Sequence, residues 1–142
     1  MTRFPDAGVT TMQSHHLVEH LFAVGSYDGL IRLFDARKPL VPLHEHDVGG
    51  GVWRLKWHPT DPTGLLAAAM HNGFHVLRYP TLSSESALSD TIADGAGTET
   101  SFMKHESLAY GCDWGHTTPD DGTKTLVASC SFYDHTIHTW TA

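Results

Sequence analysis

The chain has 142 residues, of which 40% are hydrophobic and 18% are charged, and its formal net charge is −7 at pH 7. This composition fits one globular domain and excludes a disordered chain or a coiled coil. The acidic balance makes nucleic acid and anionic membranes unexpected partners, and no apolar run is long enough to span a membrane. The two cysteines form no CxxC pair, so we expect no disulfide framework and a reducing, cytoplasmic location. The first residues, 1–6, contain no apolar run, so we expect no secretory signal.

A repeated pattern organises the chain: an apolar run leads into a polar turn, and a second apolar run follows. The three copies and their turns are 21–35 (Asp28-Gly29), 65–79 (Asn72-Gly73) and 126–140 (Asp134-His135). Asp-Gly and Asn-Gly between apolar runs predict β-hairpins, because both residues tolerate a positive φ. His135 is a costlier residue at the glycine place, although His tolerates a positive φ better than a β-branched residue does.

Each hairpin is preceded by another apolar run, at 9–12, 52–57 and 108–114. Each unit therefore has three or four short antiparallel strands and no helical stretch, which is typical of a propeller blade. We predict an all-β fold, a partial WD-repeat β-propeller of about three blades. The predicted blades are 8–48, 49–81 and 106–142, with a loop insertion at 82–105, an outer edge strand at 40–43 and a connecting loop at 44–48.

Two segments resemble the second half of a WD repeat. Residues 25–35 carry Phe34 in the place of the usual Trp, and residues 131–140 end in Trp140. Propellers typically need about four to eight blades to close around a channel. We therefore expect this chain to be part of a longer propeller or to assemble with other chains.

A closer family resemblance rests on four motifs in order, at 49–59, 68–74, 110–114 and 128–135. Together they resemble the C-terminal half of the diphthine methyl ester hydrolase family, also named diphthine methyltransferase, over residues 8–140. The family consists of eukaryotic WD-repeat proteins of diphthamide biosynthesis. The resemblance implies hydrolysis of a methyl ester on the modified histidine of translation elongation factor 2, with release of methanol. In a WD propeller, all four motifs map to one rim around the channel mouth.

Ester hydrolysis needs a nucleophile, a general base and an oxyanion stabiliser, and the sequence contains no Gly-x-Ser-x-Gly elbow. We therefore consider a His-assisted attack by water, and a Ser131, Asp134 and His135 set. The candidate catalytic residues are His71, His135 and Asp134. The candidate substrate-binding residues are Arg54, Trp53, Tyr133 and Asp113.

Each candidate has a structural alternative that stays open at this stage. Turn hydrogen bonds would account for Asp134 and Ser131, and packing between blades would account for the aromatic residues. We expect no cofactor and no metal, since His44 and His46 lack a nearby third ligand. The competing hypothesis is a non-catalytic WD scaffold that presents the same rim to a protein partner.

Overall fold

The computed structural model describes residues 7–83, 88, 92–116 and 124–142. Within these ranges the chain forms one short 3-10 helix, Pro80–Ser83, and eleven β-strands. The strands are β1 Val9–Ser14, β2 Leu21–Ser26, β3 Leu30–Asp35, β4 His44–Asp47, β5 Arg54–Trp57, β6 Gly64–Ala68, β7 Phe74–Arg78, β8 Gly97–Phe102, β9 Gly111–Trp114, β10 Leu126–Ser131 and β11 Thr136–Thr141.

The strands form three separate antiparallel sheets, which we call blades I, II and III. Blade I has the order β1-β2-β3-β4, blade II β5-β6-β7-β8 and blade III β9-β10-β11. The first strand of each blade contacts the first strand of the next, β1 against β5 and β5 against β9. This arrangement confirms the predicted all-β partial propeller. No helix in the described ranges is long and apolar enough to cross a membrane.

The hydrophobic core lies between neighbouring blades. In β6, Leu65 and Ala67 pack towards blade I, whereas Leu66 and Ala68 pack towards blade III. Side chains alternate across a strand, so β6 is buried on both of its faces and its sequence is continuously apolar. In β10, by contrast, buried and exposed residues alternate, because only one face of blade III is covered by another blade.

The outer strands differ from the sequence prediction. Residues 97–102 lie inside the predicted loop insertion, yet they form β8 and pair with β7. Likewise the outer strand of blade I is His44–Asp47, which was predicted as a connecting loop, and not 40–43. Both strands lie at a sheet edge and are largely exposed, so their sequences do not show the apolar alternation on which the prediction relied.

The hairpin turns follow the sequence signals. Gly29 and Gly73 have φ values of +85° and +72°. The third hairpin has His135 in this conformation, with φ of +56°. The predicted positive φ at these three positions is therefore confirmed, including the unusual histidine.

Strand direction alternates along the chain, so the connections lie on two faces of the molecule. The upper face carries the β2–β3, β6–β7 and β10–β11 turns and the loops that lead into β5 and β9. The lower face carries the remaining connections.

On the lower face, a buried histidine joins blade I to blade II. His15 Nδ1 accepts hydrogen bonds from the backbone N–H groups of Leu17 and Val18, each at 3.0 Å. Its Nε2 therefore carries the proton and donates to the Pro62 carbonyl at 3.0 Å. The centroid of the His15 ring lies 4.3 Å from that of the Trp57 ring. Both nitrogens of this neutral imidazole are therefore hydrogen-bonded, and its ring packs against a tryptophan.

A second buried histidine, His58, joins blade II to blade III in the same way. His58 Nδ1 accepts from the N–H groups of Thr60 and Asp61, and Nε2 donates to Thr125 Oγ1 at 2.7 Å. The ring packs 4.7 Å from Trp114. Burial lowers the pKa of both His15 and His58, which favours the neutral form that this bonding requires.

Candidate functional site

Turns and loops of adjacent blades interlock on the upper face. The Val48 N–H donates to the Gly29 carbonyl at 3.0 Å, and the Asn72 side chain donates to the Val48 carbonyl at 2.6 Å. The Ala109 N–H donates to the Met70 carbonyl at 2.8 Å. The loop that leads into β5, the β6–β7 turn and the loop that leads into β9 are therefore joined on this face.

The glycine run 49–51 is explained by close packing between blades I and II. A Cβ on Gly50 would lie 2.5 Å from the Ala69 carbonyl oxygen. Gly49 has φ of +72°, and a Cβ there would lie 2.8 Å from the Asn72 side chain. The space beside these glycines is occupied by Ala69 and Asn72, so the run does not form an open loop that could bind a phosphate group.

Asp134 belongs to a hydrogen-bonded network that fastens the upper turn of blade III. Trp140 Nε1 donates to Ser129 Oγ at 3.2 Å, and Ser129 Oγ lies 3.0 Å from His105 Nε2. His105 Nδ1 lies 2.9 Å from Asp134 Oδ2. The other carboxylate oxygen accepts from the backbone N–H and the hydroxyl of Thr136.

This network fixes the charge state of Asp134. Burial disfavours the carboxylate, but the hydrogen bonds from Thr136 and His105 outweigh it and hold the pKa of Asp134 well below its usual range. The carboxylate is therefore ionised at neutral pH and already paired.

The structure does not assemble Ser131, Asp134 and His135 into a hydrogen-bonded set. Ser131 Oγ is buried without a partner among the described residues, and His135 is exposed at the turn. Asp134 bonds to His105 and Thr136. The reason is geometric. Four residues join Ser131 to Thr136, and within this turn the Asp134 carboxylate points inward to bind Thr136 and His105.

The two candidate bases occupy corresponding turns of neighbouring blades. His71 lies in the β6–β7 turn and His135 in the β10–β11 turn, and both side chains are exposed on the upper face. His75, close to His71 in sequence, is buried and bonds to Asn72 and Ser101. His71 and His135 are thus accessible from solvent, whereas His75 is not.

The polar candidates line the inner strands of blades II and III. Arg54 and Lys56 lie on the same side of β5, two residues apart. Lys56 Nζ forms an ion pair with Asp113 Oδ2 of β9 at 3.1 Å. Burial and the nearby Asp113 carboxylate raise the pKa of Cys112 to about 12, although Arg54 opposes this shift, so Cys112 is a neutral thiol.

The aromatic candidates meet through a residue that the sequence analysis did not select. Trp53 packs edge-on against Tyr110, with ring centroids 5.4 Å apart. Tyr110 in turn lies 6.2 Å from the ring of Tyr133. Tyr110 was visible only as part of the 110–114 motif, and nothing in the sequence marked its ring as the link between the two predicted residues.

His105 was also missed, since it lay at the edge of the predicted loop insertion. Its bonds to Ser129 and Asp134 join residues 24 and 29 positions away, so no local pattern marked it. For metals, His44 and His46 are neighbours with rings 6.2 Å apart. Within the described ranges no group of three or more metal-ligating side chains comes together.

These features define the class of protein: a partial WD-repeat propeller whose exposed histidines, cationic side chains and aromatic rings share one rim. In agreement, residues 3–35 match the family model "WD domain, G-beta repeat". Over nearly its whole length the chain is also homologous to curated diphthine methyltransferases, which confirms the family resemblance seen in the sequence.

Three of these relatives show the extent of the similarity. The diphthine methyltransferase homolog of Dictyostelium discoideum is 34% identical over 98% of this chain and 36% of its own length. The human diphthine methyltransferase is 30% identical over 94% of this chain and 46% of its own length. The Schizosaccharomyces pombe protein is 35% identical over 94% of this chain and 37% of its own length. The chain thus spans less than half the length of these relatives.

Proposed function

We propose that this chain carries the hydrolytic rim of an enzyme of diphthamide biosynthesis. The reaction is hydrolysis of the methyl ester of methylated diphthine on translation elongation factor 2. The observation that supports it most is the homology to diphthine methyltransferases over nearly the whole chain. A chemical role for this homology is supported by His71, His135 and Arg54, which lie on blades II and III and could act at one rim.

In the proposed reaction an exposed imidazole, His71 or His135, takes a proton from water. The resulting hydroxide attacks the ester carbonyl and forms a tetrahedral oxyanion, which the Arg54 guanidinium stabilises. The carbon–oxygen bond to the methoxy group then breaks, and the imidazolium returns its proton to the departing oxygen. The products are a carboxylate and methanol, and the imidazole is regenerated with the release of one proton to solvent.

The remaining candidates have supporting roles in this proposal. Trp53, Tyr133 and Asp113 contact the protein substrate, with the Asp113 carboxylate held by its ion pair with Lys56 at 3.1 Å. Asp134 keeps the β10–β11 turn in place and so presents His135 to the substrate. Since its oxygens bind His105 and Thr136, it acts on the backbone of the turn and not on the imidazole of His135.

The test is incubation of the purified chain with elongation factor 2 that carries methylated diphthine, followed by mass spectrometry of the modified peptide. The expected result is loss of the methyl group. In water enriched with heavy oxygen, one heavy oxygen should enter the product carboxylate, which distinguishes hydrolysis from methyl transfer to another acceptor. The full-length S. pombe relative serves as the reference protein.

The second candidate function is a non-catalytic scaffold on the same rim. The observation that favours it is the lack of a bonded nucleophile and base set at Ser131, Asp134 and His135 in the described structure. Retention of the methyl ester, with the folded chain bound to elongation factor 2, would favour the scaffold and contradict the hydrolase.

A further inference from the structure

The β6–β7 turn carries His71, one of the two proposed bases, and hydrogen bonds hold this turn closed. The Ala69 N–H donates to the Gly73 carbonyl at 2.8 Å, and the Asn72 N–H donates to the Ala69 carbonyl at 2.6 Å. The Asn72 side chain also reaches blade I, where it donates to the Val48 carbonyl at 2.6 Å. His71 is therefore an exposed side chain on a turn whose neighbouring residues are bonded.

The backbone beside His71 is strained. Met70, the residue before it, has φ of +27°, a conformation that residues other than glycine rarely adopt. Such a conformation persists only where surrounding contacts hold it in place. One of these contacts comes from blade III, where the Ala109 N–H donates to the Met70 carbonyl at 2.8 Å. We therefore expect this turn to relax when one of the contacts that hold it is removed.

A buried histidine on β7 supplies a further contact to the turn. His75 is 7% exposed, and its Nε2 lies 2.7 Å from the Asn72 carbonyl oxygen. A carbonyl only accepts hydrogen bonds, so Nε2 carries the proton and donates it. Nδ1 then accepts from the Ser101 hydroxyl of β8 at 2.9 Å. Burial lowers the pKa of His75, which keeps its ring in this neutral form.

The corresponding turn of blade III is held by a different bond. There Asp134 takes the place of Asn72, and its carboxylate lies 2.9 Å from Nδ1 of the buried His105. The side-chain amide of Asn72 has no charge, so it cannot form the same charge-assisted bond. His75 donates to the backbone carbonyl of Asn72 instead. Each turn that carries a proposed base is thus bonded to a buried histidine that is not itself the base.

We propose that His75 is a positioning residue for ester hydrolysis, because it fixes the β6–β7 turn that presents the His71 imidazole to the substrate. This role rests on the function proposed above, in which His71 is a candidate base. His75 itself is buried and has both ring nitrogens bonded within blade II, so it transfers no proton. Position matters because a displacement of about 1 Å can lower a rate by about 100-fold.

The test compares two substitutions of His75. His75→Phe keeps a planar ring but removes both nitrogens, so the bond to the Asn72 carbonyl is lost. His75→Gln keeps an N–H donor at about the reach of Nε2 and restores this bond. We expect His75→Phe to lower kcat for methyl release by about 10- to 100-fold with KM nearly unchanged. His75→Gln should recover most of kcat.

His46→Phe is the matched control. It also removes a histidine that bonds to β8, through Thr98 at 3.2 Å, but His46 has no hydrogen bond to the β6–β7 turn among the described residues. This variant should keep the kcat of the parent. An equal loss of kcat in His75→Phe and His75→Gln, or the same loss in His46→Phe, would overturn the positioning role.

A second readout does not depend on activity. Amide hydrogen exchange at Asn72 should be faster in His75→Phe than in the parent by about 2- to 10-fold, the effect of one hydrogen bond. His75→Gln should exchange at nearly the rate of the parent. Unchanged exchange in His75→Phe would overturn the proposal, even if the parent releases no methyl group and the proposed function has failed.

Measurement of His71→Gln separates the two ideas. Strong loss of methyl release in His71→Gln, together with full kcat in His75→Phe, would overturn the positioning role and leave the proposed function intact. Full activity in His71→Gln would also overturn it, because His135 would then be the base and the β6–β7 turn would have no base to position.

Discussion

The two loop faces of this partial propeller use the same kinds of side chain for opposite purposes. On the lower face, His15 and His58 have both ring nitrogens bonded and lie against buried tryptophans. On the upper face, His71, His135 and Trp53 are exposed to solvent. The comparison teaches that residue type does not identify a functional side chain here. What matters is whether its polar atoms and ring faces are already used by the fold.

Removal of a lower-face tryptophan should produce the largest change in stability. Trp114 is 5% exposed, packs on His58 and donates to the Lys56 carbonyl at 2.9 Å. We expect Trp114→Ala to reduce the free energy of unfolding by about 3–5 kcal/mol, measured by urea titration. Trp53→Ala on the upper face should cost less than about 1 kcal/mol, because its ring is exposed. Equal losses in the two variants would break the distinction between the faces.

Loss of a lower-face histidine should have a smaller effect. His58→Gln leaves the Thr60 and Asp61 N–H groups without their ring acceptor and removes the bond to Thr125. We expect a loss of about 1–3 kcal/mol in the free energy of unfolding. The control is His71→Gln, which removes an exposed imidazole and should leave unfolding unchanged.

The pH dependence of stability should be the smallest of these effects, and the two lower-face histidines should contribute to it. Because the folded pKa values of His15 and His58 lie below the ordinary value of 6.5, the unfolded chain binds more protons in mild acid. The stabilisation that these two neutral histidines provide is therefore complete above about pH 6.5. It is lost as the pH falls towards their lowered pKa values in the folded chain. Each histidine contributes at most about 1.4 kcal/mol per pH unit.

Several charged groups share this titration. His16 lies beside His15, while Asp61, Arg78 and His16 act on His58. Burial also lowers the pKa of three other histidines, which add to the slope with the same sign: His44, His46 and His75. Melting temperatures between pH 5 and pH 8 should therefore fall less steeply in the variant His15→Gln/His58→Gln than in the parent, but they should still fall. An unchanged slope would contradict the lower-face assignment.

The sequence predicted the hairpins and the blade pattern because those depend on local chemistry. Gly29 and Gly73 lie where a positive φ is needed, and the apolar run around Leu65 reflects burial on both sides. It did not predict β8, since an exposed outer strand needs no apolar alternation. Nor could it tell Trp53 from Trp57: both belong to one apolar run, and the neighbouring blade decides which ring is covered.

The site was predicted in outline only. The four motifs indicated one rim, yet the bonding of Asp134 to His105 depends on a contact 29 residues distant in sequence. Likewise Tyr110 connects Trp53 to Tyr133 only because two blades meet at that point. Such convergence is a property of blade packing and leaves no local mark in the sequence.

One paired measurement tests most directly whether the upper face acts on substrate while the lower face holds the blades. Methyl release from elongation factor 2 and the midpoint of urea unfolding are measured for His71→Gln, His135→Asn and His58→Gln. Asparagine is chosen at 135 because it tolerates the φ of +56°. We predict that His71→Gln or His135→Asn lowers methyl release by about 100-fold or more with unchanged unfolding. His58→Gln should lower the midpoint but keep the activity per folded molecule. Loss of activity in His58→Gln alone, with both upper-face variants fully active, would contradict the account.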